Sequence, residues 1–282
     1  MGVYVVTGGS RGIGAKTVEL LKKNGNTVVN IDISDGDINV DLATDEGRSA
    51  AIEYVYRRFP LGIDGFVCNH GIGGLAEYKY SYILSVNYFS AVVLLNAFYE
   101  LLKKRSGNCV VVSSGSIAYA ARKKYYVDEI LTNCGDEKRI CRLVDSFTVA
   151  DPEAASLQKE GARFMPGEVA NAMYISSKMA LAHWVRRISS SWAQHGVNIN
   201  AVAPGAAATS IMHGMKKPPL DVFFYPMPAI PDQEGEMVPD DIAHVIVFLV
   251  SPGIKGMSGA LVYCDAGASA IIDPDIRMGG RS

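Results

Sequence analysis

Apolar residues along this 282-residue chain fall into two rhythms. Short, near-continuous β-branched runs occur at Val3–Thr7, Thr27–Asp32, Gly65–Cys68, Cys109–Ser113, Val197–Ala203 and Ala260–Asp265. Between them, near Ile13–Lys23, Thr44–Phe59, Ser81–Lys104, Val169–Gln194 and Pro239–Val250, apolar residues return every three or four positions, as on one face of a helix. A strand that is apolar on both faces needs cover on both, which a parallel sheet obtains from its crossover helices. The alternation therefore predicts an α/β fold, a Rossmann-type doubly wound parallel sheet. No stretch reads as a linker, repeat or low-complexity tract, so one domain over residues 1–282 is expected.

Two stretches interrupt the rhythm. Residues 118–166 form a charged insertion, partly helical in pattern ("DEKRICRLVDSF", "DPEAASLQKEGARF"). Residues 206–238 are rich in proline, methionine and aromatics. Excursions of this length in a compact domain are usually functional or disordered.

Composition narrows the function classes. With 49% hydrophobic and 20% charged residues the chain can fill a core, and a net charge of −2 gives no electrostatic footprint for nucleic acid or an anionic membrane surface. No uninterrupted apolar run is long enough to span a bilayer, and the opening "VYVVTGG" lacks a signal n-region or cleavage site. The five cysteines are odd in number and lack CxxC spacing, and Cys68, Cys109 and Cys264 lie in strand-like runs. Cysteines so placed act as small hydrophobes, which points to a reducing, cytoplasmic compartment. The five histidines form no HExxH motif or Cys/His cluster, so no metal is expected.

The first strand runs into "TGGSRGIG", with Gly8, Gly12 and Gly14 spaced GxxxGxG before a helix. Glycine permits a tight turn and close backbone approach to a pyrophosphate, and the helix N-terminus presents free N–H groups to the phosphates. A ligand-free glycine turn is the bland alternative. Its position at the first strand–helix junction favours a dinucleotide site built from Gly8, Ser10, Arg11, Gly12, Ile13 and Gly14. Asp32 ends the second strand, followed by Ile33, and a carboxylate there accepts hydrogen bonds from the adenosine ribose while repelling a 2′-phosphate. That favours NAD(H). Arg11 argues the other way if it pairs with a 2′-phosphate; otherwise it is a solvated loop residue.

These motifs resemble the short-chain dehydrogenase/reductase family, and the resemblance continues in order along nearly the whole chain. "TGGSRGIG" is similar to the family's TGxxxGxG. "CNHG" (Cys68–Gly71) stands at its NNAG with two residues replaced. "SVNYF" places Asn87 at the helix asparagine, and "VVVSSGS" places Ser114 at the catalytic serine. "YISSK" fits YxxSK, and "NAVAPGAAAT" fits PGxxxT. "SGALVYCDAG" resembles the last-strand TGxxxxVDGG, with Ala266 replacing a glycine. The resemblance implies cofactor contacts from Asn69, Gly71, Pro204, Gly205, Ala207 and Thr209 as well. "NIDISDGDINVDLATDEGRSAAI" and "LSVNYFSAVVLLNAF" further resemble the bacterial 3α-hydroxysteroid dehydrogenase/carbonyl reductase subgroup. So does the gap of 60 residues from Ser114 to Tyr174, which is far shorter in typical family members. This narrower resemblance implies that Asp41 and Leu42 flank the adenine.

The Tyr-x-x-x-Lys spacing, which puts both side chains on one helix face, occurs three times. Tyr99 and Lys103 close a helix before a strand begins, at the edge opposite to where such folds bind ligands. Tyr119 and Lys123 follow the correct strand end but open the charged insertion. Tyr174 and Lys178 begin a long helix, after the strand-end serine and before "NINAVAPG", and are preferred as the catalytic pair. Hydride leaves an alcohol carbon only as the hydroxyl loses its proton, so the reaction needs a general base near neutral pH. A free phenol titrates near pH ~10, and a positive charge ~5 Å away at an effective dielectric of ~20 is worth roughly 3 kcal/mol, or about two pKa units. The Lys178 ammonium and an oxidised nicotinamide would lower the phenol by such amounts, less any opposing desolvation. Ser114 would hold the substrate oxygen by the phenol. By resemblance, Asn87 holds a water that relays protons to Lys178; from its residue type alone it is a polar residue at a helix bend.

Met212, Met215, Phe223, Phe224, Tyr225 and Met227 make residues 206–238 either a lid over a hydrophobic substrate or a packing segment. Many relatives pack the helical flank beside the insertion against another subunit, so the insertion either blocks that contact or makes a different one; a homodimer is expected. The expected activity is NAD(H)-dependent interconversion of a secondary alcohol and a ketone on a small hydrophobic substrate, foremost a 3α-type hydroxysteroid such as a steroid or bile acid. Aromatic alcohols or general carbonyls are the alternative substrates. An NAD(H)-sensing regulatory protein is the non-enzymatic alternative, against which the intact Ser–Tyr–Lys set argues.

Overall fold

The computed structural model describes residues 1–75, 77–120, 128, 131–132, 135–146, 166–207 and 237–272. Among them, seven strands form one sheet: β1 (Val3–Thr7), β2 (Thr27–Asp32), β3 (Ile38–Asn39), β4 (Gly65–Cys68), β5 (Asn108–Val112), β6 (Asn198–Pro204) and β7 (Leu261–Cys264). Their order is β3-β2-β1-β4-β5-β6-β7 and every pairing is parallel. The strand side chains alternate between two cores. Val5, Val29, Phe66, Cys109, Val111 and Ile199 point into one; Tyr4, Val6, Val28, Val67, Val110 and Val202 point into the other. That two-sided burial is why the strands read as continuous apolar runs rather than alternating ones.

Helices α1 (Gly12–Lys23) and α8 (Pro239–Val250) cover the second core by packing on each other. The first core lies under α2 (Asp45–Arg58), under a long helix made of α3 (Tyr80–Leu84), a π turn (Ser85–Phe89) and α4 (Ser90–Lys103), and under α7 (Pro166–Ala193). Short helices α5 (Ile117–Ala120), α6 (Glu137–Asp145) and α9 (Ala268–Ile272) complete the set. Thr44 caps α2 by accepting the Gly47 N–H at 3.0 Å, with Asp45 and Glu46 in the first turn and Arg57 and Arg58 in the last, as the helix dipole favours. The continuous helix Tyr80–Lys103 is long and apolar enough to cross a membrane by composition, but 67% of that stretch is buried, so its apolar face is used on the sheet.

The predicted elements recur with small corrections. β5 and β6 run Asn108–Val112 and Asn198–Pro204, because Asn108 pairs with Gly65 and Pro204 pairs with Cys264. The two-residue β3, paired to β2 through Ile31 and Ile38, was too short to leave a pattern. The Ser81–Lys104 helix contains a π turn that no periodicity announces. The described part of the insertion folds back on the chain. Ser81 donates to Asp145 through its N–H (2.9 Å) and hydroxyl (2.6 Å), the Tyr88 hydroxyl donates to Leu131 O (2.8 Å), and Arg187 donates to Thr132 O (2.9 Å). The stems of the 206–238 excursion are also held together: Ala207 bridges Met237, whose N–H donates to Ala206 O at 3.0 Å. Met212, Met215, Phe223, Phe224, Tyr225 and Met227 lie outside the described residues.

Past β7 the buried Asp265 carboxylate accepts the Gly267 N–H (3.1 Å) and the Ser269 N–H (2.8 Å), which turns the chain at once into α9. The turn forces Ala266 to φ +53, the left-handed region that glycine occupies without cost. Left-handed backbone costs an L residue about 1–2 kcal/mol, part of which glycine returns through its unfolded-state entropy. Ala266→Gly is expected to stabilise the fold by about 0.5 kcal/mol, a rise of about 1 °C in Tm by calorimetry; an unchanged or lower Tm would show that the strain is relieved elsewhere.

Candidate active site

Because all strands run the same way, the loops after β1, β2, β4, β5 and β6 gather at one edge of the sheet. Gly8 leaves β1 at φ +68, and Gly12 opens α1 at φ +52. A β-carbon on Gly14 would lie 1.9 Å from Gly8 O, so helix and loop approach as closely as only glycine allows. The loop is held from four sides. Gly8 N–H donates to Ile31 O (2.8 Å), Gly9 N–H to Asn30 Oδ1 (2.9 Å), Ser10 N–H to Asp32 Oδ2 (2.9 Å), and Asn69 Nδ2 to Gly8 O (2.8 Å). No side chain caps α1, and its first turn carries no acid. Its N–H groups are thus left for an anionic ligand, the arrangement a dinucleotide pyrophosphate needs.

Asp32 accepts Ser10 N–H on one oxygen and Ile33 N–H on the other (2.7 Å), and a carboxylate has lone pairs left for ribose hydroxyls. Arg11 sits 3.8 Å from the Asp35 carboxylate, so a 2′-phosphate here would meet Asp32 and an already paired guanidinium. Ile33 is exposed at the same corner. Asp41 Oδ1 accepts Ala43 N–H at 2.8 Å. The Leu42 side chain is buried in the core and its carbonyl accepts Arg48 Nε at 2.8 Å, so any contact from Leu42 to a ligand comes from its N–H.

Ser114 follows β5, and Tyr174 and Lys178 lie one turn apart on α7. Ser113 Oγ donates to Lys178 O at 2.9 Å, which ties this part of α7 to the end of β5. Lys178 Nζ donates to Val112 O at 3.1 Å and is only 4% exposed. The Ser114 hydroxyl accepts from Ser116 N–H (3.2 Å) and Ser116 Oγ (2.9 Å), which leaves its own proton for a substrate oxygen or the phenol. Asn87, presented by the π turn, exchanges both its amide groups with Ile72: Oδ1 accepts Ile72 N–H (2.9 Å) and Nδ2 donates to Ile72 O (3.0 Å). A β-carbon on Gly71 would stand 3.0 Å from Lys178 Nζ and 3.1 Å from Asn87 Oδ1, so glycine keeps the space between ammonium and amide open.

Burial dominates the electrostatics. It lowers the Lys178 pKa to about 8, leaving the amine mostly charged at neutral pH. It raises the Tyr174 phenol, and the hydrogen bond from Ser114 opposes it by less. The expected net lowering of the phenol is therefore not present in the protein alone: burial raises it, and the group that opposes burial is the Ser114 hydroxyl rather than the Lys178 ammonium. Protons remain on the ammonium for a ribose hydroxyl beyond the bond to Val112, so the donors here fit the nicotinamide half of a dinucleotide.

Two neighbours of the site carry no signal in the sequence reading. Ser116 was foreshadowed only by the repeated serines of "SSGS". His70 bridges Thr7 Oγ1 (2.7 Å from Nδ1) and Ser90 Oγ (2.7 Å from Nε2). Since Ser90 donates to Val86 O (2.6 Å), it accepts from Nε2–H, and Nδ1 is left to accept from Thr7. Burial and then repulsion by Lys178 and Arg48 push the imidazole down to about 3, so it is a neutral strut.

Of the other tyrosine–lysine pairs, Tyr99 packs on Trp192 (4.7 Å between centroids) and Lys103 lies over its ring near the start of β5, at the edge away from Ser114. Tyr119 contributes backbone to α5; its side chain, Lys123 and Thr209 lie outside the described residues. Pro204 ends β6 and Gly205 follows it, its N–H donating to Cys264 O at 2.8 Å, and Ala207 is buried at the stem of the following excursion. No cluster of metal-ligating side chains occurs among the described residues.

Residues 156–269 match the family model described as enoyl-(acyl carrier protein) reductase. The chain is 32% identical over 276 residues to the 3-alpha-hydroxysteroid dehydrogenase/carbonyl reductase of Comamonas testosteroni, covering 97% of this chain and 99% of that protein. It is 26% identical to a coniferyl-alcohol dehydrogenase from a Pseudomonas species, covering 94% and 96%. The crystal structure of the 3-alpha-hydroxysteroid dehydrogenase from Pseudomonas sp. B-0831 complexed with NADH superposes with a TM-score of 0.79 at 29% identity, covering 98% of this chain and all of that one.

The buried ammonium has a measurable cost. Its folded pKa of about 8 lies below the ordinary 10.5, so the folded state binds fewer protons between those values. Stability then rises with pH across that window, and the penalty is at full size below it. Lys178→Met is expected to stabilise the protein by about 2 kcal/mol at pH 7, while removing turnover. The gain should shrink as pH rises from about 8 to 10.5 in denaturant titrations; a destabilised variant at pH 7 would show that the ammonium is compensated.

Proposed function

From a chain that belongs to the short-chain dehydrogenase/reductase family of oxidoreductases, we propose an NAD(H)-dependent enzyme that interconverts a secondary alcohol and a ketone on a hydrophobic substrate, foremost a 3α-type hydroxysteroid such as a steroid or bile acid. The observation that carries this reading is the Ser114 hydroxyl bonded to the Tyr174 phenol, with Lys178 one turn on held at the end of β5, on the sheet edge where a glycine loop runs into an uncapped helix. Similarity over almost the full length to two 3-alpha-hydroxysteroid dehydrogenases supports the substrate class.

When bound, the nicotinamide supplies the acceptor or donor of hydride. The protein supplies everything else. The α1 N-terminus and the Gly8–Gly14 loop hold the pyrophosphate, Asp32 holds the adenosine ribose, and Ile33, Asp41 and Leu42 surround the adenine. Asn69, Gly71, Pro204, Gly205 and Ala207 line the rest of the cofactor path. Lys178 Nζ binds the nicotinamide ribose and places a positive charge by the Tyr174 phenol. Burial raises the phenol, and an oxidised nicotinamide held beside it would supply a positive charge that lowers it. Tyr174 takes the hydroxyl proton in oxidation and returns it in reduction. Ser114, oriented by Ser116, donates to the substrate oxygen and holds it at the phenol. Asn87 clamps Ile72 and, with Lys178, borders the space at Gly71 where a relay water would sit. Residues 206–238 are assigned as the cover over the substrate, and the assembly as a homodimer. The similarity to a coniferyl-alcohol dehydrogenase keeps aromatic alcohols as the second substrate class.

Tyr174→Phe is expected to lower kcat by at least about 10³-fold, with NADH affinity measured by fluorescence unchanged. Wild-type-like turnover by that variant, together with loss of turnover in Tyr119→Phe, would transfer the role to Tyr119. Absorbance of NADH across a panel of hydroxysteroids and coniferyl-type alcohols decides the substrate class, and NADH binding without turnover on the whole panel would mark a sensor. On the wild type, kcat/KM with NAD⁺ is expected to exceed that with NADP⁺ by about tenfold or more, since one repelled phosphate near a carboxylate is worth ~1.4 kcal/mol or more. The reverse preference would overturn the role given to Asp32.

A further inference from the structure

Arg48 of α2 is an unusual residue to find inside: its side chain is 4% exposed. Its guanidinium gathers three segments that are distant in sequence. Nε donates to Leu42 O (2.8 Å) and Nη2 to Ala43 O (3.1 Å), in the loop after β3. Nη2 also reaches Ser85 O (3.4 Å), the first residue of the π turn that presents Asn87. Nη1 and Nη2 bind both oxygens of Glu137 (2.6 and 2.8 Å), the first residue of α6 in the insertion. Glu137 in turn accepts the Ser85 hydroxyl at 2.7 Å. The carboxylate of Asp45 lies 3.7 Å away but is largely exposed, so Glu137 is the main neutralising partner. A buried guanidinium left without its carboxylate is strongly unfavourable, and its planar fork fixes direction as well as charge.

The grip has a second point. At the other end of α6, Asp145 holds Ser81, and between the two grips Tyr82 reaches Asp41 Oδ2 at 3.5 Å. The insertion helix thus bears on Asp41 through α3 and on Leu42 through Arg48, the two residues assigned to the adenine. We propose that Glu137 is a positioning residue for the cofactor site: through Arg48 it sets the Leu42 and Ala43 carbonyls and the start of the π turn, so that docking of α6 and binding of the adenosine end of NAD(H) strengthen each other. This rests on the placement of NAD(H) given above. Coupling of this kind is reciprocal, so each event must stabilise the other by the same factor.

The test measures NADH binding by fluorescence, independently of turnover, in the wild type and in Glu137→Gln, with amide hydrogen exchange of residues 137–145 followed with and without NADH. The expected result is an NADH Kd raised about 5- to 10-fold and a matching rise in KM, with kcat at saturating NADH changed less than about twofold. Wild-type exchange at 137–145 should slow on NADH addition, and this slowing should weaken in the variant. If Glu137→Gln does not fold, the double variant Arg48→Met/Glu137→Gln, which leaves neither charge unpaired, is read the same way. A variant that melts at lower temperature yet binds NADH as tightly as the wild type overturns the proposal and makes the pair a fastening of the insertion only. Unchanged wild-type exchange on saturation with NADH also overturns it. A wild type that does not bind NADH overturns the cofactor placement instead.

Discussion

Two-sided burial of a parallel sheet is the constraint from which the rest of this structure follows. The longer strands give alternate side chains to two separate cores, so they must be largely apolar, and apart from the short link from β2 to β3 the connections cross over through helices. The groups offered for chemistry are thereby collected where the strands end, while the buried strand asparagines Asn30, Asn108, Asn198 and Asn200 are used in hydrogen bonds. Gly8, Asp32, Asn69, Ser114 and Gly205 all stand within a few residues of a strand terminus on the same edge. Tyr174 and Lys178 join them from a helix that Ser113 fastens to β5.

That concentration sets a conflict between stability and chemistry. The edge is enclosed enough to strip solvent from Lys178 and Tyr174, and stripping solvent disfavours the charged form of both. The amine still keeps most of its proton at neutral pH, since burial lowers it only to about 8, and it donates to Val112 O. The phenol keeps its own proton until further positive charge arrives. Burial therefore holds the phenol neutral in the protein alone, with only the Ser114 hydrogen bond opposing it. His70 adds to the enclosure without adding charge, since its two hydrogen bonds require the neutral ring.

The insertion between Ser114 and Tyr174 takes on a meaning beside that of blocking or making a subunit contact. Its described helix is not attached to the periphery by surface contacts alone. It supplies the carboxylate for a buried arginine whose other hydrogen bonds go to Leu42 O and Ala43 O after β3 and to Ser85 O at the start of the π turn. An insertion that completes an internal charge pair becomes part of the fold's polar accounting, and losing it would leave a guanidinium in the core.

Much of this was legible along the chain because it depends on local period and local chemistry. The strand runs Val3–Thr7, Thr27–Asp32 and Gly65–Cys68 and the helix Pro239–Val250 appear with the boundaries their patterns imply, and the glycine loop falls where a strand meets a helix. Chain order separated Tyr174 and Lys178 from Tyr99 and Lys103, because order along a crossover fold dictates which edge a residue reaches. The π turn, the imidazole strut at His70, the Ser116 bond to Ser114 and the Arg48–Glu137 pair were not legible. Each joins groups whose partnership has no period: Arg48 and Glu137 stand 89 residues apart, and Asn87 meets Ile72 across a turn that only packing against the sheet selects. The sequence by itself determined the layers, the edge and the residue types available for chemistry, since hydrophobic period and chain direction are enough for that. Tertiary structure alone decided the protonation balance and the long-range struts, because desolvation and pairing depend on which atoms become neighbours after the chain has closed.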